Sequence, residues 1–357
     1  MLRPCEKDYN ENPLRSIMNH LSTTACLPLS TFTFREQMAH AGSSGEFSRI
    51  MIQLALAGKL IARELRKAGF NQMLGSTGAL NVQGEEVQKL DERANDIFLE
   101  VFEHQGLVST LVSEEMEKPF HIKEADGKGK YAVFLDPLDG SSNTDVNAPL
   151  GSIFSIHRLP PEGFSGNDEV LRKKGTDQVA AGYFLYGPSV ILVYTCGNGV
   201  FQFLLDQNVG DFFLTSAAIQ IPQKGSIYSA NEGNQGKWFP ETRNFLHFLQ
   251  EVEPQSGRPY SGRYSGCLVA DVHRILIKGG LYFYPAEIKK PEGKLRLMYE
   301  AAPLAFVIEQ AGGLGSSGLE RIKDVVPKTL HQRVPLWIGS RDDIVLAETF
   351  QRSASQT

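Results

Sequence analysis

Apolar side chains first recur at a regular interval after residue 43. Ile50, Met51, Leu54, Ile61 and Leu65 fall on one face of a helix, and Gly69 supplies its stop. Ser43 and Glu46 have the spacing of a capping box, in which each side chain satisfies a free backbone N–H at a helix start. A second helix is predicted over 86–105, with Val87, Leu90, Ala94, Ile97, Phe98 and Val101 on its apolar face and Gly106 beyond its end. Residues 1–40 carry no sustained period and read as a loosely held arm.

In the middle of the chain the pattern shortens. Leu107–Val112 and Tyr131–Leu135 are apolar runs of strand length, the second ending at Asp136. Ser152–Leu159, Val179–Tyr186, Ser189–Thr195 and Val200–Leu205 follow as predicted strands. Gly187-Pro188 and Gly197-Asn198-Gly199 separate them, and such turn residues imply antiparallel neighbours. After about residue 219 helix-like and strand-like stretches alternate. The clearest helices there are 239–252 and 298–310, and the clearest strands Leu281–Tyr284 and Pro335–Ile338. The expectation is an α/β protein whose helical and sheet layers share a central cleft. Its divisions are an arm (1–40), an N-terminal domain (41–218) and a C-terminal domain (219–357).

Composition narrows the class. With 357 residues, 41% of them hydrophobic and 22% charged, the chain can bury a large core and is not disordered throughout. No apolar run reaches the length of a membrane span. Its 36 basic and 41 acidic residues leave a net charge of −5, which gives no footprint for nucleic acid or an anionic membrane surface. Cys5, Cys26, Cys196 and Cys267 form no paired motif, so neither a zinc site nor a disulfide framework is expected. Without a signal-peptide apolar segment or a peroxisomal ending, the expected location is the cytoplasm.

Several chemical signatures are absent: no Walker A sequence, no HExxH, and no GxGxxG after a strand. An EF-hand also fails, because placing Gly140 at the loop's glycine position puts Leu135 where the first acid belongs. What remains is Asp136-Pro-Leu-Asp139-Gly140-Ser141-Ser142-Asn143 at a strand end. Two carboxylates held apart by a stiff Pro-Leu link precede small residues whose amides can approach an anion. A cation on such carboxylates beside phosphate oxygens on such amides suits phosphoester hydrolysis. Taken alone, the segment is more often a solvated turn. Glu114 and Glu115 also follow a strand-like run, at the kind of position where clefts open in α/β sheets. Glu300 begins an apolar helix, and Glu85 and Asp91 flank the start of the second helix, where acids favour the helix dipole.

Ser113-Glu114-Glu115, Asp136–Asn143, Asn231-Glu232-Gly233, Arg263-Tyr264, Val269–Arg274 and Gly293–Glu300 occur in one order. Together they resemble the class I fructose-1,6-bisphosphatase family, within the inositol-monophosphatase-like superfamily, from about Ser44 to Asp342. The resemblance implies a layered α-β-α-β-α fold with mixed, largely antiparallel sheets. It also implies hydrolysis of the 1-phosphate of fructose 1,6-bisphosphate with Mg²⁺, or Mn²⁺ in its place. The implied metal ligands are Glu114, Glu115, Asp136, Asp139, Glu300 and the carbonyl of Leu138. Glu115 and Asp91 would activate the attacking water, and Glu85 stands where familiar members have Asp. An all-oxygen ligand set favours such hard ions over Zn²⁺.

By the same resemblance, the 1-phosphate meets the amides of Gly140, Ser141 and Ser142, with Arg296 near, and the sugar and 6-phosphate meet Asn231, Tyr264, Tyr284 and Lys294. Arg263 would arrive from a neighbouring subunit of a homotetramer, and Asn234 replaces a frequent tyrosine. An inhibitory AMP site would comprise Ser44, Gly45, Glu46, Ser48, Lys130, Tyr131 and Arg158, with serines at 44 and 48 in place of threonines. The segment 160–174 carries no cysteine, which argues against thioredoxin control. Rival readings are a sedoheptulose 1,7-bisphosphatase, an inositol phosphatase, or an idle AMP-sensing scaffold.

Overall fold

Regular structure begins earlier than the periodicity predicts. Helix α1 (Leu29–Ala39) seats Leu29 and Phe32 in the core, with the Phe32 ring 4.8 Å from that of Phe201 and 5.4 Å from that of Phe203. Phe34 and Met38 stay exposed, so the helix has anchors but no continuous apolar stripe for a sequence to reveal. The computed structural model describes residues 27–39, 45–80, 86–104, 106–122, 129–160 and 168–353. Ser43, Ser44, Glu85, Cys5 and Cys26 lie outside the described residues.

Helix α2 (Glu46–Lys67) buries Ile50, Met51, Leu54 and Ile61 as expected. Its cap is Gly45, whose φ of 80° is left-handed, so Glu46 is the first helical residue instead of the third that a capping box requires. Strands β1 (Ser76–Leu80) and β2 (Glu86–Gln88) pair antiparallel. Helix α3 (Lys89–Phe102) therefore starts three residues later than the pattern predicts, because 86–88 are taken up in that ribbon. Gln88 caps α3, and its N–H donates to Asp91 Oδ2 at 2.9 Å.

The large sheet contains β3 (Val108–Ser113), β4 (Phe120–His121), β5 (Tyr131–Asp139), β6 (Leu150–Arg158), β7 (Gln178–Tyr186), β8 (Val190–Thr195), β9 (Phe201–Asp206) and β10 (Asp211–Ser216). Their spatial order is β10-β9-β8-β7-β6-β5-β3-β4. Every neighbouring pair is antiparallel except β3 with β5. The Gly-Pro and Gly-Asn-Gly turns thus join antiparallel neighbours, as their chemistry predicts.

Later in the chain come β11 (Ile227–Ser229), β12 (Ser261–Gly262), β13 (Leu281–Tyr284), β14 (Leu295–Arg296), β15 (Leu314–Ser316), β16 (Arg333–Val334) and β17 (Leu336–Gly339). Five of them form a mixed sheet ordered β12-β11-β13-β17-β15, and β14 pairs with β16 alone. Four helices accompany them: α4 (Pro240–Gln250), α5 (Leu268–Lys278), α6 (Ala302–Gln310) and α7 (Arg341–Ser353).

Among the described residues, four apolar interfaces separate five layers. Met51, Leu54, Ile97 and Phe98 of α2 and α3 pack on Phe154, Phe184 and Leu192 of the large sheet. Its other face (Ile153, Tyr183, Val193) meets Val269 and Val272 of α5 and Leu304 and Ile308 of α6. Those helices rest in turn on Tyr282, Leu336 and Ile338 of the small sheet. Leu281, Phe283 and Trp337 face the opposite way, onto Phe245 of α4 and Ile344 of α7. The alternation along Leu281–Tyr284 is the two-residue repeat of a strand buried on both faces. Each fully buried aromatic contributes roughly 1.5–3 kcal/mol. Among the described residues, no helix is long and apolar enough to cross a membrane.

Candidate active site

Parallel pairing of β3 and β5 explains why distant acids meet. Ser113 lies opposite Leu135, so both strands end at the same edge of the sheet. Glu114 and Glu115 leave it beside Asp136, and Glu114 N–H donates to Leu135 O at 3.0 Å. The β5–β6 register shifts between Asp136 and Asp139, where Pro137 has no N–H to pair. Ser152 Oγ donates to the Pro137 carbonyl at 2.6 Å, and Leu138 N–H donates to Asp136 Oδ1 at 3.2 Å.

Glu300 arrives from a π-helical turn, Leu297–Ala301, that leads into α6. Such turns accommodate one extra residue and re-aim side chains, often at functional sites. The Arg296 N–H donates to Glu300 Oε2, and Arg296 Nε lies 3.5 Å from Glu114 Oε1. One carboxylate oxygen from each of Glu114, Asp136 and Glu300 lies within 4.8 Å of the others. Burial raises the Asp136 carboxyl well above its ordinary range, and the fields of Glu114, Asp139, Glu300 and Glu115 push it further. Glu300 is likewise raised well above its usual range, first by burial and then by Glu114, with the Arg296 N–H and guanidinium opposing. Mutually repelling, all-oxygen and partly desolvated, the trio fits a hard divalent cation.

Asp139 shares the cleft but turns toward α5. It accepts hydrogen bonds from Leu268 N at 3.2 Å, Val269 N at 2.7 Å and the Cys267 thiol at 3.0 Å. Burial and this carboxylate hold the Cys267 thiol well above its ordinary pKa, so it remains a donor. Glu115 lines the cleft, and its N–H donates to Ser113 Oγ at 3.3 Å. Asp91 is buried at the start of α3 and is not part of the cleft lining.

Gly140 opens the amide-rich turn with φ of 77°, and a Cβ there would stand 2.8 Å from Cys267 Cβ. Ser141–Val146 follow as a 3₁₀ turn, and Gly140, Ser141 and Ser142 line the cleft. Asn231, Tyr264, Tyr284 and Lys294 also line this cleft of about 550 Å³. Burial and neighbouring acids and Tyr284 push the Tyr264 hydroxyl up to about 12, while a hydrogen bond with Asn231 opposes. Lys294 Nζ lies 5.9 Å from the Tyr284 ring centre. Arg263 is exposed, donates to its neighbour Gly262 O at 2.7 Å, and stays outside this chain's own cleft. Asn234 donates to Tyr284 Oη at 3.5 Å and accepts from Lys237 Nζ at 2.8 Å.

Three supports escaped the sequence reading. Asn143 Nδ2 donates to Pro149 O at 3.0 Å and Ser265 O at 3.1 Å, tying the amide-rich turn to the loop that carries Tyr264. Asp271 holds the same loop from α5 by accepting Ser265 N–H at 2.9 Å, and Cys267 braces Asp139. Asn143 and Asp271 sit inside the ordered motifs and Cys267 between two of them, but spacing does not distinguish a support from a contact.

A second group of candidate residues gathers at the opposite end of β5. Lys130 Nζ pairs with Glu46 Oε1 at 2.6 Å, and Tyr131 lies opposite Arg158 in the β5–β6 register. Ser48 Oγ is within hydrogen-bond distance of Thr33 O (3.2 Å) and Gln37 Oε1 (3.0 Å), so α1 covers the start of α2. A Cβ on Gly45 would stand 3.1 Å from Gln37 Nε2.

Crowded carboxylates beside an amide-rich turn, set at the edge of stacked sheets, define a metal-dependent phosphoester hydrolase. Comparison with known proteins agrees. Residues 27–217 match the family described as "Fructose-1-6-bisphosphatase, N-terminal domain", and 221–352 match its C-terminal domain. "Fructose-1,6-bisphosphatase class 1" of Crocosphaera subtropica is 48% identical over 336 residues, covering 94% of each chain. Its namesake from Synechocystis sp. is 48% identical over 335 residues, covering 94% of this chain and 95% of that one. The crystal structure of Leishmania major fructose-1,6-bisphosphatase in holo form superposes with a TM-score of 0.86 at 39% identity, covering 92% of this chain and 99% of that one. The chain belongs to the class 1 fructose-1,6-bisphosphatase family.

Proposed function

We propose that this chain hydrolyses the 1-phosphate of fructose 1,6-bisphosphate to fructose 6-phosphate and inorganic phosphate, with Mg²⁺ held among Glu114, Asp136 and Glu300. The observation that carries this reading is the meeting of those three carboxylates, within 4.8 Å, in a cleft shared with Gly140–Ser142 and Lys294. Leu138 O and Asp139 complete the proposed ligand set, and Mn²⁺ suits the same oxygens. When bound, the cation polarises phosphoryl oxygens and acidifies water.

The chain's own groups supply the rest. Glu115, in the cleft wall, accepts the proton of the attacking water, while Asp91 holds the start of α3. Amides of Gly140, Ser141 and Ser142 and the Arg296 guanidinium hold the phosphoryl oxygens as negative charge builds on them. Attack forms a bond from the water oxygen to phosphorus and breaks the bond from phosphorus to the C1 oxygen, which takes up the proton that Glu115 accepted and leaves as the sugar hydroxyl. Asn231, Tyr264, Tyr284 and Lys294 grip the sugar and its distal phosphate, and this grip fixes which end of the bisphosphate reaches the acids. Arg263, exposed and outside its own cleft, serves the cleft of a neighbouring copy in a homotetramer.

AMP is the proposed inhibitor at the other end of β5. The start of α2, where the helix dipole favours an anion, suits its phosphate, with Lys130, Tyr131 and Arg158 as its further contacts.

Phosphate release from fructose 1,6-bisphosphate, measured with millimolar Mg²⁺ and again with excess EDTA, tests the reading. Release with Mg²⁺ and none with EDTA is expected. An intact substrate in both, or faster release from sedoheptulose 1,7-bisphosphate, would overturn it.

A further inference from the structure

Three carboxylates that repel one another stay close only if the segments carrying them are held. Two arrive from separate places: Glu114 from the turn after β3, and Glu300 from the π turn before α6. Between them stand Tyr299 and His331, neither of which lines the cleft. Tyr299 is fully buried beside Glu300, and its hydroxyl is hydrogen-bonded to His331 Nδ1. The other ring nitrogen, His331 Nε2, lies 3.2 Å from the carbonyl of Glu117, three residues beyond Glu114. One side of the imidazole therefore reaches the π turn, and the other reaches the turn that carries Glu114.

The scaffold around this pair is rigid. Leu297 N–H donates to Gln332 O at 2.8 Å, and Arg296 pairs with Arg333 in the β14–β16 ribbon, so the His331 segment is fixed against the π turn. Tyr299, Met298 and Leu330 share a small apolar core with Val112, Ala132 and Phe134 of β3 and β5. Packing anchors the ring, which leaves the hydroxyl and the imidazole to set the spacing.

We infer that Tyr299 and His331 form a positioning clamp that fixes the separation of Glu114 and Glu300, and so the affinity of the acid cluster for a divalent cation. The inference rests on the reading of that cluster as a metal site. Hydrogen-bonded groups one step behind metal ligands commonly change affinity 10–100-fold when removed.

Titration with Mn²⁺ alone, followed by electron paramagnetic resonance in the absence of substrate, gives the test. Tyr299→Phe keeps the ring and its packing, and His331→Ala removes the bridge. Each is expected to weaken Mn²⁺ binding about tenfold or more. The double variant should be no weaker than the worse single one, since both residues serve one bridge. At saturating Mn²⁺ turnover should recover, and melting in EDTA should match wild type.

Wild-type affinity in both single variants would overturn the clamp, and so would losses that add in the double variant. A lower melting temperature in EDTA with unchanged Mn²⁺ affinity would reduce the pair to packing. Failure of the wild-type protein itself to bind Mn²⁺ would instead remove the metal site, and the clamp with it.

Discussion

One strand has two ends of opposite character. At the Tyr131 end of β5 the charges are open to water, with Lys130 paired to a half-buried Glu46 and Arg158 exposed. At the Asp136–Asp139 end they are buried, alike in sign, and driven away from ionisation. The two ends of this nine-residue strand lie roughly 26 Å apart at about 3.3 Å per residue. The difference separates a demand from an option. At the acidic end ionisation is unfavourable until a cation balances it, whereas at the basic end water and one ion pair serve the charges without a ligand.

The largest expected effect comes from unloading the acidic end. Asp136→Asn should lower turnover on the order of 10³-fold, a loss typical of removing a principal electrostatic group from a reaction centre. The same change should raise the melting temperature in EDTA, because one repelling carboxyl is gone from the buried group. Steady-state kinetics and calorimetry in EDTA check both signs. A lower metal-free melting temperature would mean that these acids are mutually supported, and the contrast between the two ends would fail.

How much of this was readable in advance follows the same physics. Asp136–Asn143 announced itself because strand, acids and turn are contiguous, and the β3–β5 edge could be expected from two apolar runs that each end in acid. Helix α1 was hidden because two anchors, Leu29 and Phe32, make no period. The start of α3 was misplaced since Glu86–Gln88 carry a helical pattern but pair with β1. Helix α7 buries Asp343, Ile344 and Ala347, too small an apolar face to stand out. Tertiary contacts decided the rest. The orientation of Asp139 toward α5 depends on the Cys267 thiol and two amides that lie more than a hundred residues away. No local spacing reveals that choice.

An intermediate effect is expected at the basic end. Arg158→Ala removes an exposed guanidinium that can bind a phosphate through two parallel hydrogen bonds. Calorimetric titration with AMP should show at least about a tenfold loss of affinity, since hydrogen bonds to charged groups contribute roughly 1.5–3 kcal/mol. Equal affinities would show that this face of β6 is not part of a nucleotide site.

Glu46→Gln should change least. The Glu46–Lys130 pair is short, but Lys130 is 53% exposed, so water screens the attraction and can replace either partner. Exposed pairs of this kind contribute about 0–1 kcal/mol. Glu46 also occupies the first position of α2, where its charge favours the helix dipole by about 0.3–1 kcal/mol. Together the losses should shift a urea unfolding midpoint slightly, by no more than about 2 kcal/mol of stability. For AMP the sign reverses: removing an anion from beside Lys130 frees an ammonium for phosphate and should strengthen binding modestly. A stability loss well beyond that limit would mean that Lys130 is left as a costly charge, and the basic end would then resemble the acidic one in storing charge it cannot itself satisfy.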